Sequence, residues 1–223
     1  MRFGELSDLV LAIDTSTAAT AVGLATSAGE VLASGNHVPG AGERPGHASQ
    51  VMALAVDALA AAGADWSDVR TIGVGTGPGG FTGLRIGIAT GLGLAAATGA
   101  DTAPVSSLDA LALATAHDGP VVAVIDARRS EVFARRFANA GDPDGEPWVG
   151  DPELLDVRGA LVVGDGAERY REQFASAGGA LPEPGDPLHE VDGAALVKLA
   201  TQAAHGPVAP LYLREPDAQP RST

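Results

Sequence analysis

The chain has 223 residues, no cysteine and a formal net charge of −14, which excludes disulfides and thiolate chemistry and fits a reducing compartment. Hydrophobic residues make up 45% but aromatics only 4%, so the chain is globular and its core is built from small aliphatic side chains. The only lysine is Lys198; direct capture of nucleic acid needs clustered cations, so in any RNA pathway a partner must hold the RNA.

The length allows one large domain or two small lobes. The apolar run from Leu9 to Ile13 is too short for a signal sequence and ends in Asp14. No stretch approaches the roughly 20 apolar residues of a membrane helix, and the chain reads as soluble and cytoplasmic. Residues 8–35 read as a meander of three strands, followed by a Pro/Gly loop over His37 to Gly46. Residues 47–63 are predicted helical, with Val51, Leu54, Ala55, Ala58 and Ala62 on one face and Gly63 as a stop. Val69 to Val74 is a short buried strand. A glycine loop, GTGPGG, then leads into a second helix of small residues. Pro104-Val105 suggests a strand edge, and Ser106 caps a helix through Ala116 with Asp109 in capping-box register.

A second unit starts at Pro120. VVAVIDARRSEVFARRF reads as strand, tight turn, strand, and Asn139 to Glu153 as a polar loop. ALVVGDGAERYREQF reads as strand, turn, helix; Leu181 to Gly193 is a loop and Ala194 to Ala204 a helix. PLYLR is a last short strand or extended segment, and residues 215–223 look frayed. One internal echo stands out. Val10–Asp14 and Val122–Asp126 each end an apolar strand in Asp and pass at once into a turn and another strand, as two duplicated lobes facing a cleft would.

The glycine loop invites two nucleotide readings. Gly75, Gly77 and Gly80 satisfy G-x-G-x-x-G after a strand and before a helix, and Asp101 lies about the right distance downstream. That acid, however, stands at the entry of its strand, where it does not meet a ribose. The same residues approach a Walker A loop, but Phe81 occupies the lysine position, so the charge that holds the β- and γ-phosphates is missing. What remains is a turn feeding a helix N-terminus, with Thr82 or Gly80 as cap and weak anion binding at most.

In the following helix Gly83, Gly87, Gly91 and Ala95 recur every four residues. A helical glycine costs about 0.8–1 kcal/mol relative to alanine, so the stripe needs compensation by close packing. The packing partner is either the chain's own sheet or a helix of another subunit. No two of the five histidines stand three to five residues apart, so helical and finger-type metal sites are not expected. His47 reads as a surface or capping histidine. No G-x-S-x-G elbow is present. Asp14 and Asp126 read either as acids that position a metal-bound water or phosphate, with hydroxyls from Thr15, Ser16 and Thr17, or as the acids of Asx turns, the reading preferred for Asp126.

Four segments, in order, resemble the TsaB family: LAIDTSTAATAVGLA, GTGPGGFTGLRIGIATGLGLA, IDARRSEVF and PLYLRE. They span residues 9 to 215. The resemblance implies an α/β fold of the ASKHA (actin/Hsp70-like) class, with two RNase H-like lobes of mixed sheets flanked by helices. The lobes would be 1–118 and a degenerate 119–214, with 215–223 a disordered tail. It further implies a non-catalytic partner of the TsaD transferase in tRNA threonylcarbamoyladenosine modification. TsaD holds a metal through a histidine pair; here Val51 stands where the second histidine would follow His47. The implied partners are TsaD in a heterodimer, TsaE in a larger complex and a second copy when TsaD is absent, with tRNA contacted only indirectly and no membrane. No cofactor of its own is implied, though the assembled complex leaves room for ATP or ADP. The implied partner surface is His47, Val51, Leu54, Ala55, Ala58 and Ala62 on the first helix, with Thr82, Gly83, Ile86, Gly87, Thr90, Gly91 and Leu94 on the second. The loop Asp14-Thr15-Ser16-Thr17 lacks the glycine of nucleotide-hydrolysing relatives of this fold. The alternative is a stand-alone ASKHA nucleotide hydrolase or transferase that uses Asp14, Thr15 and Ser16; a dinucleotide-binding oxidoreductase using Gly75, Gly77 and Gly80 comes third.

Overall fold

The structure, a computed structural model, describes residues 7–40 and 42–214; the expected tail 215–223 lies outside the described residues. The first three apolar runs pair as an antiparallel meander, β1 (Leu9–Asp14), β2 (Thr20–Thr26) and β3 (Val31–His37). Their alternation sends Leu9, Leu11 and Ile13 to one face and Val10 and Ala12 to the other. Two further strands, β4 (Val69–Gly75) and β5 (Asp101–Val105), join in parallel on the far side of β1, giving the order β3-β2-β1-β4-β5. Pro104 falls within β5 at the sheet edge, where its missing N–H costs no ladder bond.

The helices α1 (His47–Ala62) and α2 (Phe81–Thr98) cover the Leu9/Leu11/Ile13 face. The opposite face is covered by α3 (Ser107–Ala114) and by α6 (Gly193–Gln202), which returns from the far end of the chain. Backbones meet where α6 crosses β2: a Cβ at Gly23 would lie 2.9 Å from Val197 Cβ, and Gly193 stands directly against Val22. Chain order alone therefore does not place α6, since it packs on the first sheet.

The second sheet is built on β6 (Val121–Arg128) and β7 (Glu131–Asn139), an antiparallel hairpin with β10 (Leu161–Val163) parallel on the other side of β6. Between β7 and β10 lie two short strands, β8 (Asp142–Pro143) and β9 (Trp148–Gly150), both paired with β7. These fall in the expected loop and are too short to carry a periodic signal. The helix expected to run into Phe174 is broken at Tyr170 into α4 (Asp165–Arg169) and α5 (Arg171–Ser176). PLYLR is extended but forms no strand.

The sequence echo has a structural counterpart. β6 is flanked by antiparallel β7 and parallel β10, as β1 is by antiparallel β2 and parallel β4. Two mixed sheets of this pattern, flanked by helices, make the ASKHA-type α/β fold.

Candidate functional site

Asp14 ends β1 and is almost wholly buried. One carboxylate oxygen accepts the Ser16 amide and hydroxyl, both at 2.7 Å; the other accepts the Ser107 hydroxyl at 2.5 Å. Burial pushes the carboxyl above its ordinary value, and these hydrogen bonds oppose the rise. Gly75 leaves the room: a Cβ there would collide with the carboxylate. Asp14 is therefore the acid of an Asx turn that also ties β1 to the start of α3. Thr15 points inward as well and donates to Gly83 O at 2.7 Å. Of the three residues expected to touch nucleotide, Ser16 alone lines the neighbouring cleft. Asp126 also makes an Asx turn, accepting the Arg128 amide at 2.9 Å.

The glycine stripe faces inward. A Cβ at Gly91 would sit 2.5 Å from Val74 Cγ2, and Cβ atoms at Gly83 and Gly87 would collide with Thr15. The stripe is the seat of α2 on the chain's own β1 and β4. This overturns the expectation that Gly83, Gly87 and Gly91 meet another subunit. His47, Val51, Ala55 and Ala58 are likewise buried within the lobe, which removes them from a partner surface. His47 is neither a surface nor a capping residue. It lies at the first position of α1, 8% exposed, with Nδ1 2.9 Å from Thr20 Oγ1, and burial holds its pKa below the ordinary value. Leu54, Ala62, Ile86, Thr90 and Leu94 are half-buried, and Thr82 is exposed.

The side of these helices turned to solvent is also largely apolar, with Asp57 and Arg85 its exposed charges. Met52 is 37% exposed, Val56 50% and Leu92 43%; Ala53, Ala60, Ala89, Ala96 and Ala97 are exposed beside them. A Cβ at Gly93 would meet nothing. This face lies about one residue further along each helix than the expected one: Met52 follows Val51, Val56 follows Ala55, Leu92 follows Gly91. The signal was present, because both helices are apolar almost all round. With 18 residues and a mean hydropathy of 1.2, α2 even reaches the length and apolarity of a short membrane span, but its buried face is seated on β1 and β4.

A cleft of about 1120 Å³ opens between the two sheets. Its first wall carries Ser16, Thr17, the N-terminus of α1 with Arg44, and the N-terminus of α2 with Arg85. Its second wall carries Asp126, Arg128, Phe133 and Asp165, and the extended segment Leu211–Arg214 runs along the rim. Tyr212 stacks on Phe81 with ring centroids 6.0 Å apart; the Arg85 guanidinium lies 3.7 Å over the Phe81 ring and donates to the Tyr212 hydroxyl at 3.1 Å. Asp165 is pushed up to about 6 by burial, and its carboxylate accepts the Asp126 amide at 3.0 Å. Among the described residues no group of three His, Cys, Asp or Glu side chains is arranged to hold a metal ion.

A family model for TsaD, tRNA N6-adenosine threonylcarbamoyltransferase, matches residues 34–144. The chain is 35% identical over 215 residues to an uncharacterised protein of Mycobacterium leprae, covering 95% of this chain but 56% of that longer protein. It is 36% identical over 166 residues to the tRNA threonylcarbamoyladenosine biosynthesis protein TsaB of Escherichia coli K12, covering 70% of this chain and 68% of that one. The solved structure of YeaZ from Pseudomonas aeruginosa superposes with a TM-score of 0.76 at 29% identity, over 92% of this chain and 100% of that one. An E. coli relative matched over two thirds of its length, on the fold just described, settles the kinship: the chain belongs to the TsaB family.

Proposed function

We propose that this chain is an accessory subunit of tRNA threonylcarbamoyladenosine synthesis, acting in the cytoplasm without catalysis of its own by docking onto a TsaD-type transferase. The observation that carries the reading is the apolar outward face of α1 and α2, with Met52, Val56 and Leu92 at its centre. Large apolar side chains grouped on one exposed face mark an interaction surface. The occupant is argued from kinship: the matching TsaD model spans residues 34–144, a stretch that includes both helices. Two related lobes that present the same pair of helices can meet face to face about a near two-fold axis, and a second copy of this chain can do so about a true one. The same face therefore serves a TsaD heterodimer and, without TsaD, a homodimer. TsaE would join the heterodimer. The net charge of −14 leaves tRNA to the partners. Catalysis by Asp14 is disfavoured by its burial and its three hydrogen bonds.

Val56→Asp and Leu92→Asp each place a charge in the centre of this face without touching the core. Co-expression with the host's TsaD, size-exclusion chromatography and nucleoside analysis of tRNA test the reading. The expected result is folded protein that no longer co-elutes with TsaD and cells that lose the modified nucleoside. Normal co-elution and modification with both variants would overturn it.

A further inference from the structure

The outward face of α1 and α2 is nearly free of charge, in a chain that holds 28 acidic and 14 basic residues. Among the exposed residues of the two helices Asp57 and Arg85 are the only charged ones. On α1 Asp57 stands within the exposed stripe of Met52, Ala53, Val56, Ala60 and Ala61. On α2 Arg85 opens the stripe that continues through Ala89, Leu92 and Ala96. The two charges are opposite in sign and sit on different helices.

Neither is neutralised within the fold. Asp57 and Arg85 form no ion pair with any described residue, and Asp57 makes no hydrogen bond. Arg85 is instead held in place: its guanidinium lies 3.7 Å over the Phe81 ring, and its Nε donates to the Tyr212 hydroxyl at 3.1 Å. Both terminal nitrogens are left without a partner among the described residues. A carboxylate or guanidinium covered by an apolar surface loses its water, at a cost that only an opposite charge on the covering surface offsets. An occupant of this face must therefore bring a cation to Asp57 and an anion to Arg85.

A second copy of the chain brings both. α1 and α2 begin on the same wall of the cleft and pack side by side. Asp57 stands ten residues past the start of α1 and Arg85 four past the start of α2. A rise of about 1.5 Å per residue puts them roughly 15 Å and 6 Å along the two helices. A two-fold axis perpendicular to the face, midway between the helices, lays α1 of one copy across α2 of the other in antiparallel sense. Each Asp57 then meets the partner's Arg85 when the axis stands roughly 10–11 Å along. That level falls between Met52, at roughly 7.5 Å, and Val56, at roughly 13.5 Å. The register that pairs the charges is thus the one that centres the large apolar side chains of α1 on the axis.

We infer that Asp57 and Arg85 set the register and the partner choice of a two-fold homodimer through this face, each Asp57 paired with the partner's Arg85. The inference rests on the docking face proposed above and adds the residues that select its occupant.

Sedimentation velocity on the full chain at micromolar concentrations tests it. Asp57→Arg and Arg85→Glu are each expected to weaken self-association at least tenfold, because like charges then face each other across the axis. An equimolar mixture of the two variants is expected to dimerise as the parent does, since both contacts of the mixed dimer join opposite charges. Damage to the fold could not be repaired by mixing, and both side chains are exposed. A monomeric parent, single variants that dimerise like the parent, or a mixture that stays monomeric would overturn the pairing. Leu92→Asp tells the pairing from the face. If it abolishes a dimer that the charge variants keep, the face stands and the pairing falls; if it also leaves the dimer intact, the face is not the contact.

Discussion

Gly91 lies so close to Val74 that a single added carbon on the helix would stand 2.5 Å from the valine's Cγ2. Two turns earlier Gly83 makes the same kind of approach to Thr15, whose hydroxyl returns a hydrogen bond to Gly83 O at 2.7 Å. Packing at this distance recovers in dispersion what the three glycines give up in helix propensity.

The two sides of α2 should therefore answer substitution in opposite ways. Gly91→Ala should destabilise by about 1–3 kcal/mol through overpacking, and Gly91→Leu or Gly87→Leu should leave little folded protein. Gly93→Ala, with open space around it, should gain about 0.8–1 kcal/mol from helix propensity. Urea denaturation of Gly91→Ala and Gly93→Ala beside the parent measures this directly. A stabilised Gly91→Ala would mean that α2 does not sit on β4 as described.

Much of this architecture was legible in the residues. The strand–Asp–turn–strand starts at Val10 and Val122, the Ser106 cap and both lobe-one helices followed from local pattern, because burial periodicity and capping are local physics. Which face of α2 turns inward was not legible. With apolar residues at 83, 84, 86–89 and 91–97, periodicity distinguishes no side, and the choice is made by how closely β1 and β4 can approach. Nor did any pattern announce the cleft. Arg44, Arg85 and Tyr212 are separated by 41 and 127 residues in sequence, and tertiary folding alone gathers them. The His47 error has the same origin: a histidine at the head of a helix looks exposed until Thr20 from β2 is placed beside it.

The Asp14 carboxylate offers a pH test. Its pKa is raised by burial and held back chiefly by the Ser107 hydroxyl. A carboxyl with a raised folded-state pKa binds a proton more tightly in the native state, so its contribution to stability falls as pH climbs above the unfolded value of 3.8. Ser107→Ala removes the 2.5 Å hydrogen bond to the charged form and should widen that loss. The variant should be about 1–3 kcal/mol less stable than the parent at pH 7 and closer to it at pH 4, as read from urea midpoints. An equal deficit at both pH values would show that Ser107 acts by packing alone.

Asp109 links three parts of the inter-sheet core. Its amide donates to the Ser106 cap at 3.2 Å, its carboxylate accepts the Ser106 hydroxyl at 3.0 Å, and Arg135 of β7 reaches both carboxylate oxygens at 2.8 and 3.1 Å. Both side chains are largely buried, at 17% and 26% exposure, so the pair is poorly screened by salt. Asp109→Ala should cost about 2–4 kcal/mol, because Arg135 is left half-buried without its partner. Ser106→Ala should cost about 1 kcal/mol. The Asp109→Ala deficit should persist in 0.5 M sodium chloride; its disappearance there would reduce the pair to an ordinary surface contact.

Glu190 supplies the sharpest dependence on pH near neutrality. Burial, and the carboxylates of Asp165 and Glu168 nearby, push its pKa up from 4.5 to about 7, and its Oε2 has no hydrogen-bond partner among the described residues. Between those two values the native state holds a proton that the unfolded chain has released, so stability must fall as pH rises from about 4.5 to about 7 and then level off. Asp165, raised to about 6, adds to the lower part of the same fall. Glu190→Gln keeps the shape and removes the titration. It should therefore match the parent near pH 4.5 and exceed it at pH 8 by about 1–2 kcal/mol, a figure reduced from the full shift because the carboxyl is partly open to solvent. Thermal midpoints taken across pH 4.5 to 8 decide the matter: curves for parent and variant that run parallel would mean that Glu190 is ionised in the native protein throughout, and that the fall has another source.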